Sequence, residues 1–411
     1  MAALSTVLSA GVIAHADPVT KWKGAPETDE EDRVFKINGR VMYDVFNIND
    51  DGGLGTTNVT RTATRRAFLG VEGRLTQNWR YNVKFDLNPD GGGSVKADDF
   101  YIEYAGSNYS LFIGQNNAIA QMENRDSSLT IPFNERSGIA NAFAPNDKQM
   151  GLAYLTNGGN WSLGAGVYGD QLQTKSDSGA TANEASEERV RATFAPIWQR
   201  TPEGVKLLHV GAYARHRDSG QDAFFSYKAI PNTNFAAGAN NITMPGPFSA
   251  RDDYWSVEFA GQYNAFGIDG EYGQLKAKRG QGFITPTTGD PTFKGGYIGL
   301  YWSPTGESRN YNAADGSFKN IVPFRTLGSD GGIGHLMLSA RYDTIDLTDH
   351  NIDGGKQTSY IGQVTWIPID HIKFQLDYSR NNIDLASSTY GTLNNGSGKA
   401  NVVEMRTQID W

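Results

Sequence analysis

Charged residues recur in this chain at every second position along stretches whose intervening residues are apolar. Near the start, Lys36, Arg40 and Asp44 alternate with Phe35, Ile37, Val41, Tyr43 and Val45, with Met42 out of pattern. Further on, Arg80, Lys84 and Asp86 alternate with Trp79, Tyr81, Val83, Phe85 and Leu87. Over the whole chain the polar side of this alternation carries Lys36, Arg40, Arg66, Arg74, Arg80, Lys84, Arg189, Arg191, Arg215, Arg217, Arg341, Lys373 and Arg406. Against them stand Asp44, Glu72, Asp86, Glu103, Glu258, Asp269, Glu271, Asp343, Asp377, Glu404 and Asp410. Fixed rows of both signs produce a field that a permeating ion can follow. Paired across neighbouring strands, the same groups would merely be solvated wall charges without selectivity. A second concentration of charge lies in 116–147, a segment too long for a plain connector. It holds Glu123, Arg125, Asp126, Glu135 and Arg136, with Pro132 and Pro145. In a wide barrel a loop folded inward sets the narrowest point, so this loop is expected to constrict a pore.

Other chemistries find less support. Asn47-x-Asn49-x-Asp51-Gly52 and Asp349-x-Asn351-x-Asp353-Gly354 have the opening spacing of a calcium loop. The bidentate Glu required at position twelve is Asn58 or Tyr360, so Asx-rich turns are the better reading and no metal is expected. The six histidines show no HExxH or i,i+4 pairing, and no G-x-S-x-G or Walker pattern occurs. A barrel enzyme would have to use His209 or His371, which sit on the inward parity as the only candidates, and neither has a partner motif. Nothing calls for a cofactor. A net charge of −8 argues against nucleic acid as a partner.

The elements that would position these charges are strands. In the final stretch Val403, Met405, Thr407, Ile409 and Trp411 share one face, and Glu404, Arg406, Gln408 and Asp410 the other. Such a strand suits either a half-buried soluble sheet or a transmembrane barrel with lipid outside and water inside. The rest of the chain favours the barrel. It has 411 residues, 20% charged, with a mean hydropathy of −0.48, and no apolar run long enough for a membrane helix. Forty-eight glycines, many aromatics and no cysteine suit a many-stranded sheet without disulfides. Residues 1–16 end in Ala14-His15-Ala16 after an apolar stretch, the layout of a signal peptide whose basic start is missing. Residues 17–32 read as a flexible lead-in and 33–411 as the barrel. Sixteen strands are expected, starting near 33, 63, 79, 98, 109, 148, 161, 187, 206, 253, 266, 293, 333, 357, 371 and 400. Short turns alternate with long loops, including 47–62, 219–252, 347–357 and 382–399, while the connection 303–332 is long where a short turn is due. Trp79, Tyr109, Trp161, Trp255, Trp366 and Trp411 fall on the outward parity, as interface girdles would. The fold class is therefore all-β, a transmembrane antiparallel barrel wide enough for an aqueous channel.

Particular segments add a family likeness. FKINGR at 35–40, RRAFLGVEG at 65–73, NWRYNVKFDL at 78–87 and FYIEYAG at 100–106 resemble the phosphate-selective porin O/P family. So do ENRDSS at 123–128, NER at 134–136, SPTGESRNY at 303–311, RYD at 341–343 and the aromatic end of the chain. The resemblance implies a homotrimer of sixteen-stranded barrels in the bacterial outer membrane, in contact with its lipid and lipopolysaccharide. It also implies an inward arginine ladder and a central lysine that dehydrate and bind phosphate. The chain departs from that pattern where selectivity resides. Asn124 stands where the lysine is expected, with Arg125 next to it, and the loop DAFFSYKAIPNTNF at 222–235 offers Lys228 alone. Arg65, Arg66, Arg215 and Arg217 remain. The candidate selectivity residues are thus Glu123, Asn124, Arg125, Arg136, Arg65, Arg66 and Lys228. Two readings stay open: an anion- or phosphate-selective porin, and a general or cation-tolerant porin whose filter is lost.

Overall fold

Sixteen antiparallel strands close on themselves. They are β1 (Arg33–Asp50), β2 (Val59–Arg74), β3 (Trp79–Asp86), β4 (Lys96–Ala105), β5 (Tyr109–Asn116), β6 (Gln149–Asn157), β7 (Trp161–Tyr168) and β8 (Ser186–Thr201). The circuit continues with β9 (Gly204–Asp218), β10 (Ser249–Tyr263), β11 (Phe266–Arg279), β12 (Thr292–Trp302), β13 (His335–Asp349), β14 (Ile352–Ile369), β15 (Ile372–Leu385) and β16 (Gly396–Asp410). This computed structural model describes residues 19–22, 26–30, 32–50, 58–87, 95–144, 148–172, 184–220, 224–234, 242–243, 248–280, 289–328, 331–350, 352–385 and 396–411. The signal-peptide segment 1–16 lies outside the described residues. Among the described residues no helix is long and apolar enough to cross a membrane.

Closure is made by the last strand. β16 pairs with β1 from Ala400↔Asp50 down to Asp410↔Arg40. Beyond it Trp411 exchanges backbone bonds with Gly39, at 3.2 and 3.1 Å. The indole crosses Gly39 where any Cβ would collide with it, so glycine is required there. Each strand separates two environments. Phe35, Ile37, Val41 and Tyr43 are exposed on the outer face of β1, whereas Arg40, Met42 and Asp44 are buried inside. Aromatic pairs mark the outer band near the short turns, among them Trp79–Tyr104, Phe266–Trp302 and Trp366–Phe374.

Several boundaries differ from the sequence expectation. β1 runs to Asp50 and β2 begins at Val59, so much of the expected loop 47–62 is strand. The expected loop 347–357 is a tight hairpin, with Asp349 paired to Ile352. A strand needs only about 9–11 residues to span the hydrocarbon. Above that height it loses its apolar alternation and reads as loop. The calcium-like patterns fall on these strand ends: Asn47 donates to Asn58 at 2.7 Å and Thr60 at 2.8 Å, and Asp349 accepts from the Thr292 N–H at 2.7 Å. Residues 51, 52 and 351 of those patterns lie outside the described residues. The lead-in carries two short strands, Val19–Trp22 and Pro26–Glu30. The second pairs with Arg33–Lys36, the stretch of β1 that β16 is too short to cover.

Three segments turn into the lumen and fill much of it. The first includes residues 117–144, with helices α1 (Met122–Arg125) and α2 (Gly138–Ala142). Ser137 caps α2 by accepting from the Ala140 N–H. The second includes residues 224–234, and the third is the hairpin Asn310–Asn312/Ser317–Lys319 within the long connection 303–332. Ile139 and Phe143 of the first segment and Tyr227 of the second pack with Tyr254, Phe293 and Ile345 of the inner wall.

Candidate functional site

The loops leave a cavity of about 490 Å³ against the inner faces of β1 to β5. Two β-bulges shape that wall. Met42 pairs with Arg66 and Tyr43 with Thr64, so Arg65 is an extra residue in β2. Val83 pairs with Phe100 and Phe85 with Ala97, so Asp98 and Asp99 both stand opposite Lys84. An inserted residue breaks the alternation and re-aims its neighbours, placing two like charges on one face at each bulge. The doublets Arg65-Arg66 and Asp98-Asp99 were the sequence signal for this, because alternation alone would send one of each pair outward.

Most charges around the cavity are spoken for. Lys84 bonds Asp99 closely and Asp98 at 3.0 Å, and Lys148 meets the same acids at 2.8 and 2.7 Å. That quartet is neutral. Arg125 contacts Asp315 at 3.0 Å, and Lys319 shares this carboxylate at 2.9 Å. Asp315 is buried, yet Arg125 and Lys319 hold its carboxyl below the usual range. Three guanidiniums remain uncompensated. Arg40 donates to Ser128 at 2.9 Å and lies over the Phe68 ring at 4.8 Å. Arg136 reaches only carbonyls, Glu123 O at 3.1 Å and Asp126 O at 2.8 Å. Arg66 stacks on Phe68 at 5.5 Å and makes no ion pair or hydrogen bond with another described residue. Burial pushes the Asp126 carboxyl at the cavity edge up to about 7, against the pull of Arg309. The local balance is therefore positive although the whole chain is negative.

The loop 116–147 is tied across the barrel. Glu123 bonds Arg341 of β13 at 3.0 Å and accepts from Ser137 N and Oγ at 2.8 and 2.5 Å. The Met122 and Glu123 N–H groups donate to Glu258 at 3.0 Å and Glu271 at 2.6 Å. Glu135 takes a bidentate bond from Arg65, 2.7 and 2.9 Å, and one from Arg406 at 2.9 Å. Although burial works against it, these cations hold the Glu135 carboxyl well below its ordinary range. Arg406 also grips Asp44 at 2.7 Å. With Arg406 among them, Asp44, Glu135 and Glu404 form an ion-pair network rather than a metal site.

The residues singled out in the sequence divide into groups. Arg40, Arg66, Lys84, Asn124, Arg125 and Arg136 line the cavity. Asn124 serves as a strut, donating to the Ala144 carbonyl, and does not project a charge. Arg65, Glu123 and Arg341 anchor the loop. Arg189, Arg215 and Arg217 lie on the other side of the loop, where Glu187 and Asp252 pair with all three and leave one positive charge in excess. Arg191 binds Glu258 at 2.6 Å and two hairpin carbonyls. Lys36, Arg74 and Arg80 sit near the short-turn mouth, Lys36 and Arg80 beside Glu72 and Glu103. Lys228 stands on a separate two-stranded ribbon, paired with Thr243, away from the cavity. The sequence reading missed Ser128, Lys148 and Lys319 of the lining, together with Asp98, Asp99 and Asp315. It also left His209 without a partner. Its two ring nitrogens meet Tyr311 at 2.7 Å and Glu258 at 3.1 Å.

A model of the family described as phosphate-selective porin O and P matches residues 35–411. A protein of Caulobacter vibrioides is 29% identical over 97% of this chain and 78% of its own length. Porin O of Pseudomonas aeruginosa is 26% identical over 92% of this chain and 90% of that protein. Among solved structures, an anion-selective porin from Comamonas acidovorans superposes with a TM-score of 0.55 at 14% identity, covering 92% of this chain and all of that one. OmpT of Vibrio cholerae, in its trimer form, gives a TM-score of 0.55 at 9% identity, covering 93% of this chain and all of that one. At such identities these two likenesses speak for the fold.

Proposed function

Because the chain belongs to the phosphate-selective porin O and P family, and is a bacterial outer-membrane porin, we propose that its passage prefers small anions, phosphate among them. The observation that carries this reading is the set Arg40, Arg66 and Arg136, three guanidiniums facing one cavity with no carboxylate partner. The description of the matching family, phosphate-selective porin O and P, lends the phosphate part of the reading its support. An anion enters by replacing part of its hydration with the forked donors of Arg66 and Arg40. It leaves because the neutral Lys84–Asp98–Asp99–Lys148 quartet beside it adds little net attraction. The loop 116–147 forms the narrow side of the passage, with the hairpin 310–319 braced against it. The rival reading, a general or cation-tolerant porin, rests on Asn124 and on Arg125 being tied to Asp315. We place the chain as a channel rather than an enzyme: the lumenal His209 is engaged at both nitrogens and has no hydroxyl nucleophile beside it except the Tyr311 phenol. We also propose a homotrimer, as in the OmpT trimer form.

The deciding experiment is the reversal potential of the reconstituted channel under a KCl gradient, followed by titration of phosphate into the chloride current. Anion-side reversal with block by phosphate is the expected result. A potential near zero or on the cation side would transfer the assignment to the rival.

A further inference from the structure

The wall behind the loop 116–147 buries more negative charge than its arginines balance. Asp377 of β15 and Glu404 of β16 are direct partners in the register. Both face inward, since Leu376, Tyr378, Val403 and Met405 on either side of them are exposed. Asp377 is 1% exposed and Glu404 0%. Like charges directly opposite one another in a sheet repel, and burial removes the water that would screen them. The cations in contact are shared with other acids. Arg406 Nη2 meets Asp44 at 2.7 Å, Glu135 at 2.9 Å and Glu404 Oε1 at 3.0 Å. Arg65 forks onto Glu135. Arg341, on β13, pairs with Glu123. Asp44, Glu135, Asp377 and Glu404 thus share two guanidiniums, those of Arg65 and Arg406, and two negative charges remain.

The oxygens at the Asp377–Glu404 pair are without donors. Glu404 Oε2 and Asp377 Oδ1 have no hydrogen-bond partner among the described residues, while Asp377 Oδ2 accepts from Asn232 at 3.2 Å. An uncharged oxygen joins them from the loop. Asn134 is 2% exposed, and its Nδ2 donates to the Glu404 backbone carbonyl at 3.4 Å, which sets the amide against Glu404. Its Oδ1 is also without a partner. The backbone on either side of that amide is fixed: the Asn134 N–H donates to Gln363 of β14 at 2.9 Å, and the Asn134 carbonyl accepts from Arg406. Three buried oxygens from three segments, none with a donor, are costly unless one positive group meets them together.

We propose that Asp377 Oδ1, Glu404 Oε2 and Asn134 Oδ1 hold a calcium ion that fastens the loop 116–147 to β15 and β16. A charge of +2 cancels the excess of two. The donors are all oxygen, which suits a hard cation, and calcium accepts irregular sets of six to eight oxygens completed by water. Magnesium demands near-ideal octahedral geometry at shorter distances, which side chains fixed on two strands and a braced loop do not offer. The neighbouring triad Asp44, Glu135 and Glu404 is a different place, because Arg406 fills its centre. The calcium site is independent of the anion preference proposed above.

The test uses the full-length assembly extracted from outer membranes, cleared of lipopolysaccharide and stripped of divalent ions with a chelator. CaCl2 and MgCl2 are titrated separately while bound ions per chain and the unfolding temperature are followed. One saturable Ca²⁺ per chain is expected, with Mg²⁺ binding at least about tenfold more weakly. The unfolding temperature should rise with Ca²⁺ concentration, as it does for any ligand of the folded state alone. Asp377→Asn keeps the shape and an acceptor for Asn232; it should bind Ca²⁺ at least about tenfold more weakly and lose the thermal response. Asp253→Asn, which removes an exposed acid of β10, should behave as wild type. Absence of a saturable Ca²⁺ on the unaltered protein would overturn the proposal and leave the two acids sharing a proton. Equal affinity for Mg²⁺ would also overturn it, and both of these readings need no variant. So would wild-type affinity and thermal response in Asp377→Asn.

Discussion

On the proposed anion-selective reading, Arg66 is the guanidinium left to the solute. Arg65, its neighbour in the chain, is consumed by Glu135, and the bulge that turns both inward separates a structural arginine from a free one. Removing Arg66 should leave the barrel intact and move selectivity. Arg66→Ala is expected to shift the KCl reversal potential toward the cation side, by a permeability factor of about 3–10, for a loss of ~1 kcal/mol of attraction at a partly hydrated site. An unchanged ratio would mean that ions pass elsewhere. Asp126 offers a separate test by pH. Burial holds its carboxyl at about 7, so it is ionised above that pH and neutral below it. Arg309 at 3.6 Å and the Phe318 N–H at 2.8 Å face it from the hairpin, and Arg136 bonds its backbone carbonyl. Acidification from pH 8 to 6 removes one negative charge from the cavity edge, so anion preference should rise over that interval. Asp126→Asn should flatten the response, since the amide oxygen still accepts from Phe318 while nothing titrates. A slope that survives the substitution would assign the response to another group.

The element that most changes the architecture is the hairpin 310–319. A connection on the short-turn side has no need of its length, and this one spends it by entering the lumen. Arg191 of β8 holds its tip through the carbonyls of Asp315 and Gly316, at 2.9 and 2.8 Å. Arg309 at its base binds Asp269 of β11 at 2.6 Å, and Phe318 packs under that guanidinium at 3.7 Å. The hairpin and the loop 116–147 thus meet from opposite mouths at Arg125–Asp315 and Asp126–Phe318. Replacing residues 310–319 by a short glycine linker should increase single-channel conductance and make the current noisier, as Arg125, Asp126 and Arg191 lose their partners. An identical conductance would show that the hairpin lies beside the ion path. The long connection was visible in the sequence at 303–332, but its direction was not. A polar segment such as SPTGESRNY reads the same whether water lies outside the barrel or inside it. The strands were legible because lipid on one side and water on the other impose a period of two. That period ran out where β1, β2, β13 and β14 rise past the hydrocarbon, which is why 47–62 and 347–357 read as loops. It was also broken at the two bulges, where Arg65-Arg66 and Asp98-Asp99 mark the wall of the cavity.

At the scale of the whole molecule, a chain of net charge −8 surrounds a cavity against β1 to β5 whose groups without an ion pair are guanidiniums. The acids are concentrated where they hold something: Glu135 and Glu123 the loop, Asp252 and Glu187 the arginines beyond it, Asp269 the hairpin. At the cavity against β1 to β5, the cations left without a carboxylate partner are Arg40, Arg66 and Arg136, and on the proposed reading they face the solute. Two mechanisms of selection follow from that arrangement, and ionic strength separates them. If the guanidiniums act as a field, their reach is the Debye length, about 10 Å at 0.1 M salt and about 3 Å at 1 M. Anion preference should then decline steeply between those concentrations. If they act by direct contact, with the anion partly dehydrated against Arg66 and Arg40, screening by salt has little room to intervene and the preference persists. The cavity of about 490 Å³ lies between the bulged wall and the loop, and Arg40 and Arg66 both lie over one ring, Phe68, within 5.5 Å. Contact selection is the expected regime: reversal potentials at matched tenfold KCl gradients should report nearly the same permeability ratio at low and at high mean salt. A ratio that collapses toward unity at high salt would instead make the passage a charged vestibule, with phosphate favoured only by its charge.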